Sequence, residues 1–303
     1  MELQGDLDAG QRARLSLAGL SVGDALGERF FGPEGRVLQA IEARDLPPGS
    51  WRYTDDTAMA LSVVQTLDEQ RSLDADALAR HMARRYVEDP GRGYGGAAHD
   101  LLQQLSLGAP WEEAATSLFD GQGSFGNGAA MRVAPLGAYL AGDLQRVSRQ
   151  AVRSARVTHA HVEGEAGAAA VAVAAAWAWE QGAFGDPQEL FAAVLEHTPA
   201  SLTRRGVEQA AALPADTQPR VAARTLGSGQ RVSSQDTVPF VIWCAACHLD
   251  SFQEAFWATV SGLGDRDTTC AMVGGIVALS TRRVPDAWLD RREPLPPGFA
   301  PEE

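Results

Sequence analysis

The sequence predicts an all-α fold, arranged as a compact single-domain bundle of many helices that spans residues 1–303. Apolar residues recur at spacings of three and four along most of the chain, whereas few stretches show the alternation of a strand. No Pro/Ser-rich linker or low-complexity block divides the chain. With 45% hydrophobic and 21% charged residues, the chain can bury a sizeable core, which excludes a disordered or fibrous protein.

The helical pattern is clearest in Ala- and Leu-rich segments, which cover residues 58–67, 77–87, 97–105, 166–179, 189–195 and 270–279. The apolar run at 166–179 is too short for the roughly 20 residues of a membrane-spanning helix, so it predicts a buried helix. Residues 238–247 fit a buried helix about as well as a strand. Glycines on the helices, such as Gly274 and Gly275, would let helix axes approach closely.

The remaining stretches are predicted to be connections and ends. Gly- and Pro-containing segments predict loops at residues 89–96, 121–128, 213–219 and 226–236. The first residues, 1–9, and the Pro-rich end, 290–303, are predicted to be loose tails.

The charge of the chain limits its partners and its compartment. Its 26 Lys and Arg against 39 Asp and Glu give a net charge of -13, which repels nucleic-acid phosphates and anionic lipid. We therefore expect neither DNA binding nor membrane association. Residues 1–14 lack the basic and apolar regions of a secretory signal, and 3 cysteines cannot form a disulfide framework. These features predict a cytoplasmic protein with reduced thiols.

Two predicted helix starts share an acidic pattern. Residues 54–57 read Thr-Asp-Asp-Thr, and residues 265–269 read Asp-Arg-Asp-Thr-Thr. Helix capping accounts for one acceptor in each segment, but each supplies two carboxylates and at least one hydroxyl. Hard divalent cations prefer these oxygen ligands. If the two segments face each other, they could hold a pair of Mg²⁺ ions.

Two further segments are candidates for the same site. Asp24 and Glu28 lie four residues apart on one helix face, which indicates either a solvated face or a position near a cation. Residues 121–128 contain four glycines before a helical stretch, an arrangement that exposes N–H groups to an anion. They match G-x-G-x-x-G, but no strand precedes them, which disfavours a Rossmann site. The alternative is an ordinary flexible turn.

Six motifs in this order resemble the ADP-ribosylglycohydrolase family over nearly the whole chain. They are Gly-Asp-Ala-Leu-Gly at 23–27, Thr-Asp-Asp-Thr at 54–57, Arg-Gly-Tyr-Gly at 92–95, Ser-Phe-Gly-Asn-Gly at 124–128, Thr-His-Ala at 158–160 and Asp-x-Asp-Thr at 265–268. The Gly-Asn-Gly loop and the Arg-Gly-Tyr-Gly stretch are more similar to the ADP-ribosylhydrolase 3 branch, which acts on serine-linked ADP-ribose and poly-ADP-ribose, than to the arginine-directed branch.

The resemblance implies a Mg²⁺-dependent glycosidase with a binuclear metal site, in which Mn²⁺ could substitute. Such an enzyme hydrolyses the N- or O-glycosidic bond at the anomeric carbon of the distal ribose and releases ADP-ribose. Its partners would be ADP-ribosylated proteins and small molecules that contain ADP-ribose. The implied metal ligands are Thr54, Asp55, Asp56, Asp265, Asp267 and Thr268, of which Asp56 and Asp267 are also assigned catalytic roles. The implied substrate-binding residues are Gly93, Tyr94, Gly95, Ser124, Phe125, Gly126, Asn127, Gly128 and His159.

One departure from the family concerns the acid–base residue. Relatives usually carry a mobile glutamate seven residues after the aspartate of Gly-Asp-Ala-Leu-Gly, where this chain has Phe31. Glu28 is the best substitute and Glu34 is the second choice. Gly23 and Gly27 predict a helix end or bend, from which a loop could carry Glu28 over the site.

Two other functions compete with the hydrolase. A non-catalytic ADP-ribose-binding protein would keep the Gly-rich loop and lose the metal ligands, and the retained acids argue against it. A dinuclear-metal phosphoesterase would release AMP or phosphate instead of intact ADP-ribose.

Overall fold

The computed structural model describes residues 7–214 and 216–300, and within these ranges the protein is built from α-helices without a β-sheet. The predicted all-α fold is therefore confirmed. In chain order the helices are α1 (Ala9–Glu28), α2 (Glu34–Ala43), α3 (Asp55–Gln70), α4 (Ala75–Glu88), α5 (Gly96–Ser106), α6 (Trp111–Gly121), α7 (Ala134–Tyr139), α8 (Leu144–Arg156), α9 (Val162–Gln181), α10 (Pro187–His197), α11 (Leu202–Ala211), α12 (Pro219–Leu226), α13 (Ser234–Cys247), α14 (Phe252–Ser261), α15 (Arg266–Thr281) and α16 (Asp286–Leu289).

Every segment predicted to be helical lies inside one of these helices. The ambiguous segment 238–247 belongs to α13, so the helical alternative is correct. The helices begin earlier than the apolar pattern because polar caps precede it. Asp74 caps α4 by accepting a hydrogen bond from Ala77 N, and Asp143 caps α8 in the same way.

Helix α9 forms the centre of the bundle. Its residues 166–179 are all buried, and it contacts α7, α8, α10, α13 and α15. The many alanines in this segment let the surrounding helices pack closely around it. In the described ranges, no helix is long and apolar enough to cross a membrane.

Helices α1 and α15 pack backbone against backbone. A Cβ atom added to Gly19, Gly23 or Gly27 would overlap the α15 backbone, and one added to Gly274 would overlap α1. The three glycines recur every four residues, so they form one flat stripe on α1. Neither Gly23 nor Gly27 ends the helix, which corrects that prediction. Their function is to bring the start of α15 against the last turns of α1.

The predicted loose tails are wrong for the residues that the structure describes. Asp8 forms a reciprocal capping box with Gln11 at the start of α1. Residues 290–300 pack along the molecule, since Glu293 N donates to Trp51 O at 2.7 Å and Arg14 Nε donates to Gly298 O at 2.9 Å. The prediction for residues 1–6 and 301–303 lies outside the described residues.

Candidate active site

Three helix segments bring acidic residues together. Asp24 lies in the last turns of α1, whereas Asp55 and Asp56 open α3, and Asp265 and Asp267 lie at the start of α15. Because α1 packs directly on α15, residues far apart in sequence become neighbours. These five carboxyl groups are called the acidic cluster below. The two acidic helix starts therefore lie side by side, which is the arrangement that a shared cation site requires.

Asp24 is the structural hub of the acidic cluster. It is fully buried and accepts hydrogen bonds from the backbone N–H and hydroxyl groups of both Thr54 and Thr57, at 2.5–3.1 Å. Thr54 Oγ1 also lies 2.8 Å from Asp56 Oδ2. Asp24 thus satisfies the free N–H groups at the start of α3 and fixes the orientation of the residues around it.

The acidic cluster is electrostatically strained. Burial raises the pKa of Asp24 to about 7 and that of Asp55 to about 8, and the neighbouring carboxylates add to both shifts. Burial, followed by repulsion from Asp267, likewise raises the pKa of Asp265 to about 7. Burial, followed by repulsion from Asp24 and then Asp267, raises the pKa of Asp56 well above its ordinary value. A bound cation would reverse this repulsion.

The donor set fits a hard divalent cation. Asp56 Oδ1 is buried without a hydrogen-bond partner, and no basic side chain within residues 7–214 and 216–300 forms a salt bridge to the acidic cluster. Across the same described ranges, no three His, Cys, Asp or Glu side chains already converge on one point as metal ligands. Carboxylates without a cation repel one another, and the hydroxyls of Thr54 and Thr268 would add neutral oxygen ligands.

A cleft with a volume of about 570 Å³ opens beside the acidic cluster. Its walls combine Asp55, Asp265, Asp267 and Thr268 with the Gly-rich loop at 124–128 and with His159. This volume lies within the range of small-molecule sites. The cleft therefore joins the two halves of the predicted site in one cavity, called the nucleotide cleft below after the ligand that we propose for it.

The Gly-rich loop is an ordered wall of this cleft. Gly126 N donates to Ser124 Oγ at 3.2 Å, and Asn127 N donates to Val232 O at 3.3 Å. Ser234 Oγ at the start of α13 donates to Gly126 O at 2.9 Å. These contacts argue against the flexible-turn alternative.

His159 lies beneath this loop as a neutral side chain. Burial and the nearby Arg132 lower its pKa to about 3. Arg132 can only donate, and its Nη2 lies 2.9 Å from Thr158 Oγ1, which is itself 2.7 Å from His159 Nδ1. The Thr158 hydroxyl therefore links Arg132 to His159 Nδ1, and the other ring nitrogen, Nε2, lies close to Gly126 and Gly128.

Two phenylalanines stand at the outer end of the cleft. Phe119 and Phe125 have ring centroids 5.4 Å apart, and their exposed fractions are 47% and 36%. Phe119 adopts a left-handed backbone conformation (φ 53°), where α6 leaves its helical path. The pair offers an apolar face to a flat ring.

Glu28 borders a second cavity on the other side of the acidic cluster. It is the last residue of α1, and it lines this cavity together with Thr54 and Asp267. Partial burial and the charge of Asp267 raise the pKa of Glu28. Glu34 instead opens α2 and faces a third cavity, where it lies 3.7 Å from Arg220. Glu28 is therefore part of a helix and does not lie on a loop, and it is the nearer of the two candidates to the acidic cluster.

Comparisons with known proteins agree with this architecture. The sequence model of the ADP-ribosylglycohydrolase family matches residues 6–298. The chain belongs to the ADP-ribosylglycohydrolase family. ADP-ribosylhydrolase ARH3 of Homo sapiens is 30% identical over 323 residues, covering 91% of this chain and 88% of that protein. ADP-ribosyl-(dinitrogen reductase) glycohydrolase of Rhodospirillum rubrum is 29% identical over 161 residues, covering 50% and 52%.

A solved structure shares the fold of this glycohydrolase. The chain named ADP-ribosylglycohydrolase-related protein complex has a TM-score of 0.58 and 24% identity, covering 94% of this chain and 93% of that one. Membership of the ADP-ribosylglycohydrolase family confirms both the resemblance and the predicted enzyme class.

One predicted binding residue of the glycohydrolase does not line the nucleotide cleft. The Tyr94 ring is buried, with its centroid 5.4 Å from that of Tyr86 and 5.8 Å from that of His99. Its neighbours Gly93 and Gly95 do line the cleft. The Tyr94 side chain therefore packs between α4 and α5 and does not line the cleft, and its role in substrate binding stays a prediction.

The structure adds two residues, Arg132 and Phe119, to the site of this glycohydrolase and gives Asp24 a more specific role. The sequence made Asp24 a candidate for a position near a cation, but not the hub of the acidic cluster. Arg132 is fully buried, and Phe119 depends on an irregular backbone. No local sequence signal marks either Arg132 or Phe119.

Proposed function

We propose that this glycohydrolase is a Mg²⁺-dependent enzyme that releases ADP-ribose from ADP-ribosylated substrates. The observation that carries the proposal is the buried acidic cluster between two cavities, in which Asp56 Oδ1 has no partner among the described residues. The substrate classes are protein ADP-ribosyl-serine or -arginine, O-acetyl-ADP-ribose and poly-ADP-ribose.

The acidic residues would hold a pair of Mg²⁺ ions, for which Mn²⁺ could substitute. Thr54, Asp55 and Asp56 would bind from α3, and Asp265, Asp267 and Thr268 would bind from α15. When bound, the ions supply attraction for the ribose hydroxyls and stabilise the charge of the transition state. Asp24 would keep this ligand set oriented through its hydrogen bonds to Thr54 and Thr57.

The walls of the nucleotide cleft would position ADP-ribose. The neutral imidazole of His159 places Nε2 beside Gly126 and Gly128, and in the tautomer with the proton on Nε2 it would donate to a diphosphate without adding positive charge. Phe119 and Phe125 would stack on the adenine ring. Binding by neutral donors explains how a chain of net charge -13 could take an anionic ligand.

Hydrolysis forms a bond between a water oxygen and the anomeric carbon and breaks the bond to the leaving atom. One proton must pass from the water to that leaving atom. Glu28 stands at the edge of the acidic cluster, and its raised pKa suits a group that both accepts and donates a proton. We assign it this role.

The test is to incubate the protein with serine-linked and arginine-linked ADP-ribosyl peptides and O-acetyl-ADP-ribose, with Mg²⁺ or with EDTA, followed by mass analysis. Intact ADP-ribose formed only with the metal is the expected product. Release of AMP or phosphate would identify a phosphoesterase. Tight ADP-ribose binding without any product would identify a binding protein.

A further inference from the structure

The second cavity, with a volume of about 520 Å³, shares Gly93 and Asp267 with the nucleotide cleft. The acidic cluster therefore lies where the two cavities meet. Besides Glu28 and Asp267, its charged lining residues are Arg29, Arg52 and Arg92. This space, called the arginine-lined cavity below, has no lining residue from the Gly-rich loop at 124–128.

Two of the arginines form salt bridges with carboxylates outside the cavity lining. Arg52 Nη2 lies 2.8 Å from Asp89 Oδ2, and Arg92 Nη1 lies 2.7 Å from Glu293 Oε2. Neither Asp89 nor Glu293 lines the cavity, so both carboxylates pair with these arginines from outside it. Arg92 also lies over the Tyr53 ring, 4.0 Å from its centroid, which restricts its position further.

The third arginine, Arg29, is an exposed residue of the cavity lining. Arg29 directly follows Glu28 at the end of α1, and its side chain is exposed. Its positive charge counteracts the rise in the pKa of Glu28. The cavity thus places three guanidinium groups, alongside the carboxylates of Glu28 and Asp267, next to the place where the leaving group would depart.

We propose that the arginine-lined cavity is the leaving-group subsite and that it selects acidic peptide segments around the modified residue. This inference rests on the proposed function, because it places the scissile bond at the acidic cluster. Arg29 and Arg52 would contact carboxylates that flank the modified side chain, and the same charges disfavour an arginine-linked substrate, whose leaving group is a cation.

The experiment uses two serine-linked ADP-ribosyl peptides, one flanked by Glu and one by Lys, and measures kcat and KM for each. We expect the wild-type KM to be about tenfold lower for the Glu-flanked peptide, with similar kcat, and this preference to weaken at high salt. Arg29→Glu combined with Arg52→Gln should abolish or reverse the preference. Arg149→Glu changes an exposed arginine on α8, outside this cavity, and should retain the preference.

Binding supplies a second readout that does not depend on turnover. The unmodified Glu-flanked peptide, labelled with a fluorophore, should bind wild-type protein in the presence of ADP-ribose and bind the double variant about tenfold more weakly. Equal KM values for both peptides in wild type would overturn the subsite. If wild type hydrolyses the peptides and O-acetyl-ADP-ribose with no charge preference, the proposed hydrolase function is retained and the leaving-group subsite is wrong. If it hydrolyses none of them, both the function and the subsite are wrong.

Discussion

Asn127 Nδ2 donates a 2.7 Å hydrogen bond to Asp265 Oδ2, across 138 residues of sequence. The same amide nitrogen lies 3.2 Å from Thr237 Oγ1 on α13. This contact joins the Gly-rich loop to the acidic cluster. The contact therefore stabilises the positions of both the loop and the cluster. A substitution on one side of the contact should change ligand binding on the other side.

Asn127→Ala tests this coupling. The variant removes the amide donor of Asp265, so ADP-ribose affinity in saturating Mg²⁺ should fall by about 1–3 kcal/mol, measured by calorimetry. Mg²⁺ affinity should fall as well, because Asp265 loses its orientation. Gln145→Ala removes an exposed amide on α8 and serves as the control. Wild-type affinities for both ligands in Asn127→Ala would show that the contact is dispensable.

The cation requirement is tested by Asp56→Asn and Asp267→Asn. Each variant should lower turnover by orders of magnitude and leave the helix content unchanged by circular dichroism, because an amide donates less charge to a metal. After chelation, calorimetry should show Mg²⁺ rebinding in wild type and in the exposed-site control Asp45→Asn. Full activity of protein shown by elemental analysis to contain no metal would refute the requirement.

Two members of the acidic cluster should affect metal-free stability in opposite directions. Asp55→Asn removes one of the repelling charges, so in EDTA the melting temperature should rise by about 2–4 °C. Asp24→Asn places an NH₂ group against donors from Thr54 and Thr57, so stability should fall by about 2–4 kcal/mol. Thermal melts at pH 8.5 measure both. A higher melting temperature in both variants would mean that repulsion among the carboxylates outweighs the hydrogen bonds of Asp24.

The sequence predicted which segments are helical better than it predicted where the helices begin and how the chain termini pack. Helical periodicity identified the segment that became α4, because a buried face imposes that spacing directly, whereas α9, which is buried on all sides, was identified by its Ala-rich apolar run. The tail at 290–300 was mispredicted, since its order depends on distant partners such as Trp51 and Arg14. Long-range hydrogen bonds leave no local signal in the sequence.

The candidate site was likewise predicted only where a local sequence pattern marks its residues. The acidic helix starts were found because each supplies more carboxylates than capping needs. The direction of a side chain in a loop cannot be predicted in this way, and Tyr94 turned inward while Gly93 and Gly95 reached the cleft. Phe119 depends on a left-handed backbone conformation that its residue type does not favour.

The aromatic pair at the end of the nucleotide cleft should contribute to nucleotide affinity. Phe125→Ala and Phe119→Ala should each weaken ADP-ribose binding by about 1–3 kcal/mol, because each removes contact area for the adenine ring. Ribose 5-phosphate lacks that ring, so its binding should change little in either variant. Phe184→Ala, which removes an exposed phenylalanine outside the cleft, is the control. An equal loss for both ligands would mean that the rings support the loop and do not contact adenine.

The acid–base role of Glu28 gives the sharpest test, because this chain offers its own matched control. Glu28→Gln keeps the shape and hydrogen bonding of the side chain but cannot transfer a proton, so kcat should fall at least about 100-fold while ADP-ribose affinity stays within about twofold. Glu34→Gln makes the same chemical change next to Arg220, in a different cavity, and should leave kcat near wild type. Single-turnover rates and calorimetry separate chemistry from binding. If Glu34→Gln is inactive and Glu28→Gln is active, the proton-transfer role moves to the start of α2, while the metal-dependent mechanism is unaffected.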